Sequence, residues 1–353
     1  MELNESFWKN KKIFVTGHNG FKGSWLSLWL YELGTKIFGY SLKPATQPNL
    51  YSILNLDNKI NSENGDIRDY NKLNEKISIV KPEILIHMAA QPLVRDSYLD
   101  PVYTYETNIM GTVNVLDIAR KTDSIKSILV ITSDKCYENI EKNYYYKESD
   151  SLGGHDPYSS SKGSADIVAS AYYNSFFLKK GIGLSIARAG NIIGGGDWSK
   201  DRIIPDAMRA FASKKDLIIR SPNSVRPWQF ILDPLFGYLL LIEKLSENPT
   251  DFSGPWNFGP KKGTDQSVKF ICDKIASHWS KKANWIAQSD NEFHEANLLL
   301  LNSDKAKDKL SWESKYDLNV TLEKTIKWYS NYYNKDKDML KFTIKQINDY
   351  LGV

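Results

Sequence analysis

Residues 12–23 read KIFVTGHNGFKG, and this stretch decides the fold. Its first five residues are mostly β-branched or aromatic, which is typical of a short buried strand. Gly17, Gly20 and Gly23 follow at a GxxGxxG spacing, and a run rich in Trp and Leu continues to Gly34, where a glycine typically ends a helix. A strand, a glycine turn and a helix in this order predict the first βαβ unit of a parallel sheet.

The glycine turn has the chemistry of a dinucleotide site. Glycines let the backbone approach a pyrophosphate closely, and the first turn of the following helix offers free N–H groups and a partial positive charge. The spacing differs from the commoner GxGxxG fingerprint. We expect five residues of this turn to contact a cofactor: Gly17, Asn19, Gly20, Phe21 and Gly23.

The end of the second predicted strand leaves the choice of dinucleotide open. That strand covers 35–40, and Ser41, Leu42 and Lys43 follow it, where an acidic residue usually holds the ribose of NAD. Lys43 is able to face a 2′-phosphate, so these residues alone do not exclude NADP. Further along, Asp66 stands in the run GDIRD, where its carboxylate can meet an adenine amine or cap a helix.

The rest of the first half continues the alternation of short apolar runs and helical patterns that parallel βαβ units produce. Further strands are predicted at 83–87, 127–132 and 183–188, and a helix is predicted to begin at Tyr158. The fold class is therefore α/β, with a doubly wound parallel sheet of the Rossmann type.

The second half has a different texture. From residue 189 onward glycine, tryptophan and proline become frequent, which indicates a smaller and loop-rich lobe. We expect a dinucleotide-binding domain over 1–188, completed by segments near 229–260, and a substrate lobe over 189–353.

Composition limits the classes of function. The chain has 353 residues, of which 41% are hydrophobic and 25% charged, and its net charge of +4 forms no basic stripe that would favour nucleic acid. Two cysteines, Cys136 and Cys272, cannot build a disulfide framework, and His87, His155 and His294 lack the spacing of a metal site. The N-terminus has no apolar signal region, and no apolar run reaches the length of a membrane span. We expect a cytoplasmic protein without metal, membrane or nucleic-acid partners.

Tyr158 and Lys162 lie four residues apart at the start of a predicted helix, and therefore on one helix face. A tyrosine hydroxyl is too weakly acidic to act as a base at neutral pH, and a neighbouring ammonium lowers its pKa. Ser133, Asp134 and Lys135 follow the preceding predicted strand and add a hydroxyl, a carboxylate and an amine. The sequence thus predicts proton transfer beside a dinucleotide, as in a nicotinamide enzyme.

These motifs extend over nearly the whole chain, and in their order the chain resembles the extended short-chain dehydrogenase/reductases that act on nucleotide sugars. The shared motifs are TGHNGFKG (16–23), DIR (66–68), HMAAQ (87–91), NIMGT (108–112) and YSSSK (158–162). Within that family the chain is most similar to the branch that dehydrates CDP-glucose. Four longer runs carry this similarity: GHNGFKGSWL (17–26), SDKCYEN (133–139), LGGHDPYSSSK (152–162) and ARAGNIIGGGDW (187–198).

The resemblance implies NAD as a tightly held cofactor. Besides the glycine turn, it implies cofactor contacts from Asp66, Ile67, Ala89, Ala90, Gln91, Asn108, Tyr158 and Lys162. It also implies a homodimer, or a dimer of dimers, that associates through a four-helix bundle built from the helices over 104–120 and 158–180.

The reaction that the resemblance implies converts CDP-glucose to CDP-4-dehydro-6-deoxyglucose and water, on the way to a deoxysugar of a surface polysaccharide such as lipopolysaccharide. Tyr158, assisted by Lys162 and Ser133, removes the proton of the 4-hydroxyl while a hydride passes from carbon 4 to NAD. Asp134 protonates the departing 6-hydroxyl, and the hydride returns to carbon 6.

Lys135 departs from the pattern of the dehydratases that act on dTDP-glucose, which carry a glutamate here to remove the proton of carbon 5. A protonated lysine cannot be that base. Either Lys135 is desolvated and neutral, as buried lysines can be, or it stabilises the enolate while another group takes the proton. We favour the first alternative.

Two other functions stay open. A dehydratase for another nucleotide sugar, or a 4-epimerase, would use much of the same site, but an epimerase returns the hydride to carbon 4 and needs no acid such as Asp134. A non-catalytic Rossmann module that senses the nicotinamide state belongs to a different class. The set of Ser133, Tyr158 and Lys162 argues against it, because a sensor needs no such set.

The nucleotide end of the substrate requires fixed cations, and the planar fork of arginine suits phosphate. The candidate substrate contacts are Arg95, Asn191, Arg202 and Arg226, with Arg209 and Arg220 as weaker candidates. Trp198 and Trp228 are candidates for stacking on the base, although tryptophans in such loops serve equally often in packing.

Overall fold

The structure, a computed structural model, describes residues 2–261, 264–280, 282–288 and 298–353. His294 lies outside the described residues. Helices and strands are numbered separately along the chain. The strands are β1 Lys12–Thr16, β2 Lys36–Ser41, β3 Asn61–Asn64, β4 Ile84–His87, β5 Ser127–Ile131, β6 Tyr145–Tyr146, β7 Gly183–Arg188, β8 Ile192–Ile193, β9 Leu217–Ile219, β10 Val225–Pro227, β11 Gln229–Phe230, β12 Gly254–Asn257, β13 Asp265–Ser267, β14 Trp285–Ala287 and β15 Leu300–Leu301.

Helices surround these strands. The α-helices are α1 Glu5–Trp8, α2 Phe21–Glu32, α3 Leu50–Ile53, α4 Tyr70–Val80, α5 Val94–Leu99, α6 Pro101–Tyr105, α7 Gly111–Ala119, α8 Pro157–Tyr172, α9 Ile203–Ala212, α10 Leu232–Glu247, α11 Pro249–Phe252, α12 Val268–Trp279, α13 Asp304–Leu310, α14 Leu318–Asn334 and α15 Met339–Leu351. Short 3₁₀ turns cover Leu56–Asn58, Asp134–Cys136 and Leu178–Lys180, and π-helical turns cover Glu106–Met110 and Tyr173–Phe177.

A seven-stranded parallel sheet forms the centre, in the order β12-β7-β5-β4-β1-β2-β3. The strand order reverses direction between β1 and β4, which makes their carboxyl ends the topological switch point where such sheets bind ligands. The predicted fold class, a doubly wound Rossmann-type sheet, is confirmed.

The central strands are apolar on both faces because helices cover both. In β1, the side chains of Ile13 and Val15 enter one hydrophobic core, and the side chain of Phe14 enters the other. The five residues of β5 are all buried. This continuous burial explains why the strands appear in the sequence as short apolar runs without polar alternation.

The sheet is completed by a segment from late in the chain. β12 pairs in parallel with β7, with Trp256 opposite Ala187 and Asn257 opposite Arg188. The chain therefore leaves the sheet after β7, forms the elements from β8 to α11, and returns to the sheet at 254–257.

Two features differ from what the sequence suggested. β3, with the sequence NSEN, was not expected, because an exposed edge strand has no apolar signature. The second lobe contains more helix than its loop-like texture indicated, above all in α14 and α15. No helix in the described part of the chain is both long and apolar enough to span a bilayer.

Candidate active site

The glycine turn lies at the switch point, pressed against the loop that follows β4. Gly17 has a φ of +73°, and a Cβ at this position would lie 2.6 Å from the backbone nitrogen of Ala89. The hydroxyl of Thr16 accepts hydrogen bonds from the backbone N–H groups of Met88 and Ala89, both at 3.2 Å. Gly17 therefore satisfies both a left-handed backbone and a close approach, which only glycine permits without strain.

The start of α2 is arranged to receive an anion. A Cβ at Gly23 would lie 2.1 Å from the carbonyl oxygen of Gly17, so the helix can pack directly on the turn only because this residue is glycine. Gly20 occupies the N-cap and supplies no side-chain hydrogen bond to the first turn. The N–H groups of that turn thus remain available to a ligand, as phosphate-binding helices require.

The end of β2 carries Ser41 where an acid was expected, and Ser41 contacts His18 of the glycine turn. Ser41 Oγ lies 3.1 Å from His18 Nδ1, and His18 Nε2 lies 2.8 Å from Ser62 Oγ. Burial lowers the pKa of His18 to about 4, so the ring is neutral. This contact could not be predicted from the sequence, because Ser62 belongs to the polar edge strand β3.

Asp66 is engaged within its own loop. Arg68 donates from its backbone N–H to Asp66 Oδ1 at 2.8 Å and forms an ion pair with Oδ2 at 2.7 Å. Burial opposes ionisation, but these hydrogen bonds prevail and lower the pKa of Asp66. The neighbouring Ile67 packs under α7, where a Cβ on Gly111 would lie 2.4 Å from its Cδ1. Asp66 is therefore held as a fixed carboxylate at the edge of the cofactor region.

Asn108 ties the loop after β4 to α8. It donates to the carbonyl of Gln91 at 3.1 Å and to Ser161 Oγ at 2.8 Å, while its own Oδ1 accepts from the backbone N–H of Gln91 at 2.8 Å. Asn108 is buried and all three partners are well placed. It thus positions the segment of Ala89 and Ala90 relative to the helix that carries Tyr158.

The residues after β5 form a tight turn that carries a hydroxyl, a carboxylate and an amine. Ser133 caps the 3₁₀ turn by accepting from the backbone N–H of Lys135 at 3.2 Å, and its hydroxyl donates to Asp134 Oδ1 at 2.8 Å. Asp134 is only 4% exposed. Ser133 therefore both caps this turn and holds the carboxylate of Asp134.

Tyr158 and Lys162 lie on the first turns of α8, which Asp156 caps by accepting from the backbone N–H of Ser159 at 2.9 Å. Burial raises the pKa of Tyr158 to about 12, and a hydrogen bond with Ser133 offsets part of that rise. Burial also lowers the pKa of Lys162 to about 7, and its Nζ donates to the carbonyl of Ile131 at 3.2 Å. In the structure burial is the largest influence on the pKa of Tyr158 and Ser133 is the group that opposes it, so the assistance expected from Lys162 stays a prediction.

The side chain of Asp134 fills the space that Gly190 leaves open. A Cβ at Gly190 would lie 1.9 Å from Asp134 Oδ2. The next residue, Asn191, has a φ of +49° and directs its amide to Asp134 Oδ2 at 3.5 Å. The segment after β7 is thus shaped around the carboxylate.

These elements surround one cavity of about 330 Å³. It brings together most of the residues predicted to act on or bind the substrate, which are Arg95, Ser133, Asp134, Lys135, Tyr158, Asn191, Arg202 and Arg226. Two further cations line the cavity. Lys22 of α2 was not a candidate from the sequence, and Arg220 after β9 was a weaker one. Lys162 is buried and does not line the cavity.

The remaining candidates for the nucleotide end fall into two groups. Trp228 lines the cavity, and its indole donates to the carbonyl of Gln266 at 3.3 Å. Trp198 instead packs edge-on against Trp328 and Tyr332 in the core, which agrees with the packing alternative that the sequence left open. Arg209 donates a hydrogen bond to the backbone carbonyl of Trp198 at 2.7 Å, a contact that could not be predicted from the sequence.

A buried ion pair joins the end of β7 to α8, the helix that carries Tyr158. Arg188, at the end of β7, pairs with Asp166 of α8 at 2.7 Å, and both side chains are at most 3% exposed. Arg188 also donates to the hydroxyl of Tyr137 at 2.8 Å, and Thr132 Oγ1 donates to Asp166 at 3.2 Å. One network therefore joins the ends of β5 and β7, Tyr137 after the 3₁₀ turn, and α8.

A parallel switch-point sheet with a glycine turn, a Ser-Tyr-Lys set and an adjoining second-lobe cavity defines the extended short-chain dehydrogenase/reductases. The chain belongs to the family described as GDP-mannose 4,6-dehydratase, whose model matches residues 14–325. Both the family resemblance and the enzyme class expected from the sequence are thereby confirmed.

Relatives and solved structures agree with this membership. The chain is 47% identical to the CDP-glucose 4,6-dehydratase of Salmonella typhimurium, over 99% of this chain and 99% of the relative. It is 27% identical to a UDP-glucose 4-epimerase of Rhizobium meliloti, over 91% of this chain and 98% of the relative. The dTDP-glucose 4,6-dehydratase of Bacillus anthracis, solved in complex with NAD, shares the fold with a TM-score of 0.75 at 22% identity, over 94% of this chain and 99% of that one.

Proposed function

We propose that this protein is a CDP-glucose 4,6-dehydratase that uses NAD and releases CDP-4-dehydro-6-deoxyglucose and water. The observation that carries the reaction type is the meeting of Asp134 and Tyr158 in one cavity. A tyrosine suits oxidation at carbon 4, and a separate acid suits loss of the 6-hydroxyl. The identity of 47% to the Salmonella enzyme carries the choice of cytosine, which the cavity alone does not dictate.

The residues present fit a dinucleotide. The uncapped first turn of α2, together with the absence of side chains at Gly17 and Gly23, leaves room and N–H donors for a pyrophosphate. Asp66, fixed by Arg68, is available at the adenine end, and Lys162 at the ribose of the nicotinamide. NAD bound there would accept a hydride from carbon 4 and return it to carbon 6.

The side chains at the catalytic turn divide the proton transfers. Tyr158 takes the proton of the 4-hydroxyl, and Ser133, hydrogen-bonded to it, stabilises the phenolate. Asp134 gives a proton to the departing 6-hydroxyl, which leaves as water. Lys135 takes the proton of carbon 5, and a proton returns to the same carbon when the hydride is delivered to carbon 6. The cycle has no net redox change because the hydride taken from carbon 4 is returned to carbon 6.

The far end of the cavity holds the nucleotide. Arg202 forms an ion pair with Asp197 at 3.1 Å, and Arg220 forms one with Asp201. Because both guanidinium groups line the cavity and are already oriented by carboxylates, they are ready to meet a diphosphate with little loss of side-chain entropy. Arg226 lines the same wall and completes a cationic surface for the two phosphates.

The protein forms a homodimer through α6, α7 and α8 and the π-helical turns beside them. Large apolar side chains are exposed on these elements, with Val102 at 65%, Ile167 at 56% and Met110 at 52%. Leu99, at the end of the adjoining α5, is 73% exposed. Such a concentration on adjoining helices supports a protein interface. Light scattering should give twice the mass of the chain, or four times for a dimer of dimers, and a monomer mass would contradict the proposal.

The protein acts in the cytoplasm, in a pathway that makes a deoxysugar for a surface polysaccharide.

The decisive experiment is to incubate the purified protein with NAD⁺ and CDP-glucose. We expect a product that has lost one water by mass and that absorbs after treatment with alkali, as 4-dehydro-6-deoxy sugars do. dTDP-glucose, GDP-mannose and UDP-glucose serve as competing substrates, and Tyr158→Phe as the matched inactive protein. Turnover of another nucleotide sugar would correct the base, and conversion to a 4-epimer without loss of water would contradict a dehydratase.

A further inference from the structure

Gln229 of β11 holds both carbonyl groups of the turn that encloses the carboxylate of Asp134. Its side-chain amide donates to the carbonyl of Gly190 at 3.1 Å, and its backbone N–H donates to the carbonyl of Asn191 at 3.2 Å. The same amide also donates to the carbonyl of Phe258 at 2.9 Å, just after β12. The side chain of Gln229 is only 1% exposed. One buried residue therefore ties the turn after β7 to the segment that completes the central sheet.

The turn has a backbone conformation that depends on its surroundings. Asn191 has a φ of +49°, in the left-handed region that residues other than glycine seldom adopt. Such a conformation persists where neighbouring groups fix it. The two carbonyls that Gln229 holds belong to the peptide groups on either side of the Asn191 Cα. Gln229 therefore fixes the direction of the Asn191 side chain and the place of Gly190.

The two carboxylate oxygens of Asp134 are held unequally. Oδ1 accepts from the hydroxyl of Ser133 at 2.8 Å and from the backbone N–H of Lys135 at 2.9 Å. Oδ2 instead faces the turn after β7, where the amide of Asn191 lies 3.5 Å away and where a Cβ on Gly190 would meet Oδ2 first. Since Oδ1 is already engaged by two donors, Oδ2 is the oxygen that can carry a proton. Its position is set by the turn after β7.

Packing and substrate contact do not account for a glutamine at this position. Oε1 of Gln229 is buried and accepts no hydrogen bond from any residue that the structure describes. A buried acceptor without a donor destabilises a protein, and an apolar side chain of the same length would avoid that cost. Among the described residues, Gln229 is not one of those that line the cavity. The contacts that remain to explain the residue are those to the turn.

We propose that Gln229 is a positioning residue for the elimination step, because it keeps Oδ2 of Asp134 where this oxygen can protonate the departing 6-hydroxyl. In that step the bond between carbon 6 and its oxygen breaks, and the oxygen takes the proton of Oδ2 and leaves as water. The electron pair of the bond between carbon 5 and its hydrogen forms the double bond between carbons 5 and 6. The inference rests on the proposed function and deepens it, because oxidation at carbon 4, which uses Tyr158, does not depend on this turn.

Gln229→Met tests this role, since it keeps the length of the side chain and removes the amide. We expect the rate of water loss from CDP-glucose to fall about 10- to 10²-fold, the effect of misplacing a reacting group, with little change in KM. Oxidation at carbon 4 should continue at its normal rate. Reduced nicotinamide should therefore accumulate during a single turnover, and its absorbance measures the slowed elimination directly.

Gln346→Met is the matched control. Gln346 of α15 is also buried, at 3% exposed, and its amide also donates to a backbone carbonyl, that of Lys324 at 3.0 Å. Its Oε1, like that of Gln229, accepts no hydrogen bond within the described part of the chain. Gln346→Met should leave both rates unchanged. Gln229→Glu, whose protonated carboxyl can donate one of the two bonds, should give an intermediate rate of water loss and serves as the second variant should Gln229→Met fail to fold, which circular dichroism checks.

Three outcomes would overturn the inference alone. They are water loss at the normal rate in folded Gln229→Met, equal slowing of oxidation and water loss, and a rise in KM without a change in kcat. The second would mean that Gln229 supports the whole site, and the third that it supports only the binding of substrate. If the unmodified protein did not dehydrate CDP-glucose, the proposed function would fail and this inference with it, so the two failures are distinguishable.

Discussion

The carboxylate of Asp134 occupies the space where a side chain of Gly190 would stand, with only 1.9 Å between Oδ2 and the Cβ that glycine lacks. Gly190→Ala should therefore displace the carboxylate without touching Tyr158. We expect elimination of the 6-hydroxyl to fall by roughly 10²-fold, the usual effect of losing a positioned acid, while oxidation at carbon 4 persists. Comparison of product formation with the absorbance of reduced nicotinamide separates the two steps. Asp134→Asn should give the same pattern, and full turnover by Gly190→Ala would contradict the role of Asp134.

Tyr158→Phe should abolish most of the activity, by roughly 10²- to 10⁴-fold, because it removes the base for the 4-hydroxyl. Ser133→Ala should give a smaller loss, since it removes the hydrogen bond that offsets the effect of burial on the pKa of Tyr158. Steady-state rates with CDP-glucose measure both effects, and circular dichroism checks the fold. Equal activity of Tyr158→Phe and the unmodified protein would favour a non-catalytic sensor.

Lys135→Ala tests the base at carbon 5. If Lys135 removes this proton, exchange of the carbon 5 hydrogen with solvent deuterium should fall by at least about 10²-fold, as expected for the loss of a general base. Mass spectrometry of the product formed in D₂O gives the rate. Exchange at the normal rate in Lys135→Ala would assign the proton to another group and leave Lys135 to stabilise the enolate.

Asp166→Asn should destabilise the protein by about 3–5 kcal/mol, because it leaves the guanidinium of Arg188 buried and without its counter-charge. Urea denaturation measures the free energy of unfolding. The double substitution Asp166→Leu with Arg188→Met removes both charges and should recover much of that loss. A loss below about 1 kcal/mol for Asp166→Asn, typical of surface pairs, would mean that water reaches this pair.

His87 should make the protein sensitive to acid. Burial, with repulsion from Lys162, lowers the pKa of His87 to about 3 from an ordinary value of 6.5. The folded state thus binds fewer protons than the unfolded state, and its stability is complete above pH 6.5 and falls as the pH drops towards 3. The free energy of unfolding measured at several pH values should show this slope, and His87→Gln should reduce it. His18, whose pKa burial also lowers, should maintain part of the slope in that variant.

The sequence predicted the central sheet well because its strands are buried on both faces. The apolar runs at β1, β5 and β7 were located to within about one residue of their ends. β3 was missed for the opposite reason, since NSEN is an exposed edge whose pairing with β2 depends on backbone hydrogen bonds alone. Local sequence patterns identify buried strands, whereas an exposed edge strand can be recognised only from the strand with which it pairs.

The site residues show the same division. Ser133, Asp134, Lys135 and Tyr158 could be assigned because they stand at strand and helix ends, where chemistry is expected, and the structure brings them together. Trp198 could not, because its packing against Trp328 joins segments far apart in the chain. Lys22 was visible within the glycine turn, but its direction into the cavity depends on the helix packing.

The late return of β12 to the sheet has a consequence for how the chain is made. While the protein emerges from the ribosome, β7 has an unpaired edge until residues 254–257 have been synthesised. Unpaired strand edges are sites of aggregation, so this interval is when the nascent chain most needs protection by chaperones. A chain that stops at residue 188 should remain in that state permanently. The sheet that carries the glycine turn is therefore completed only after the residues between β7 and β12 have been translated.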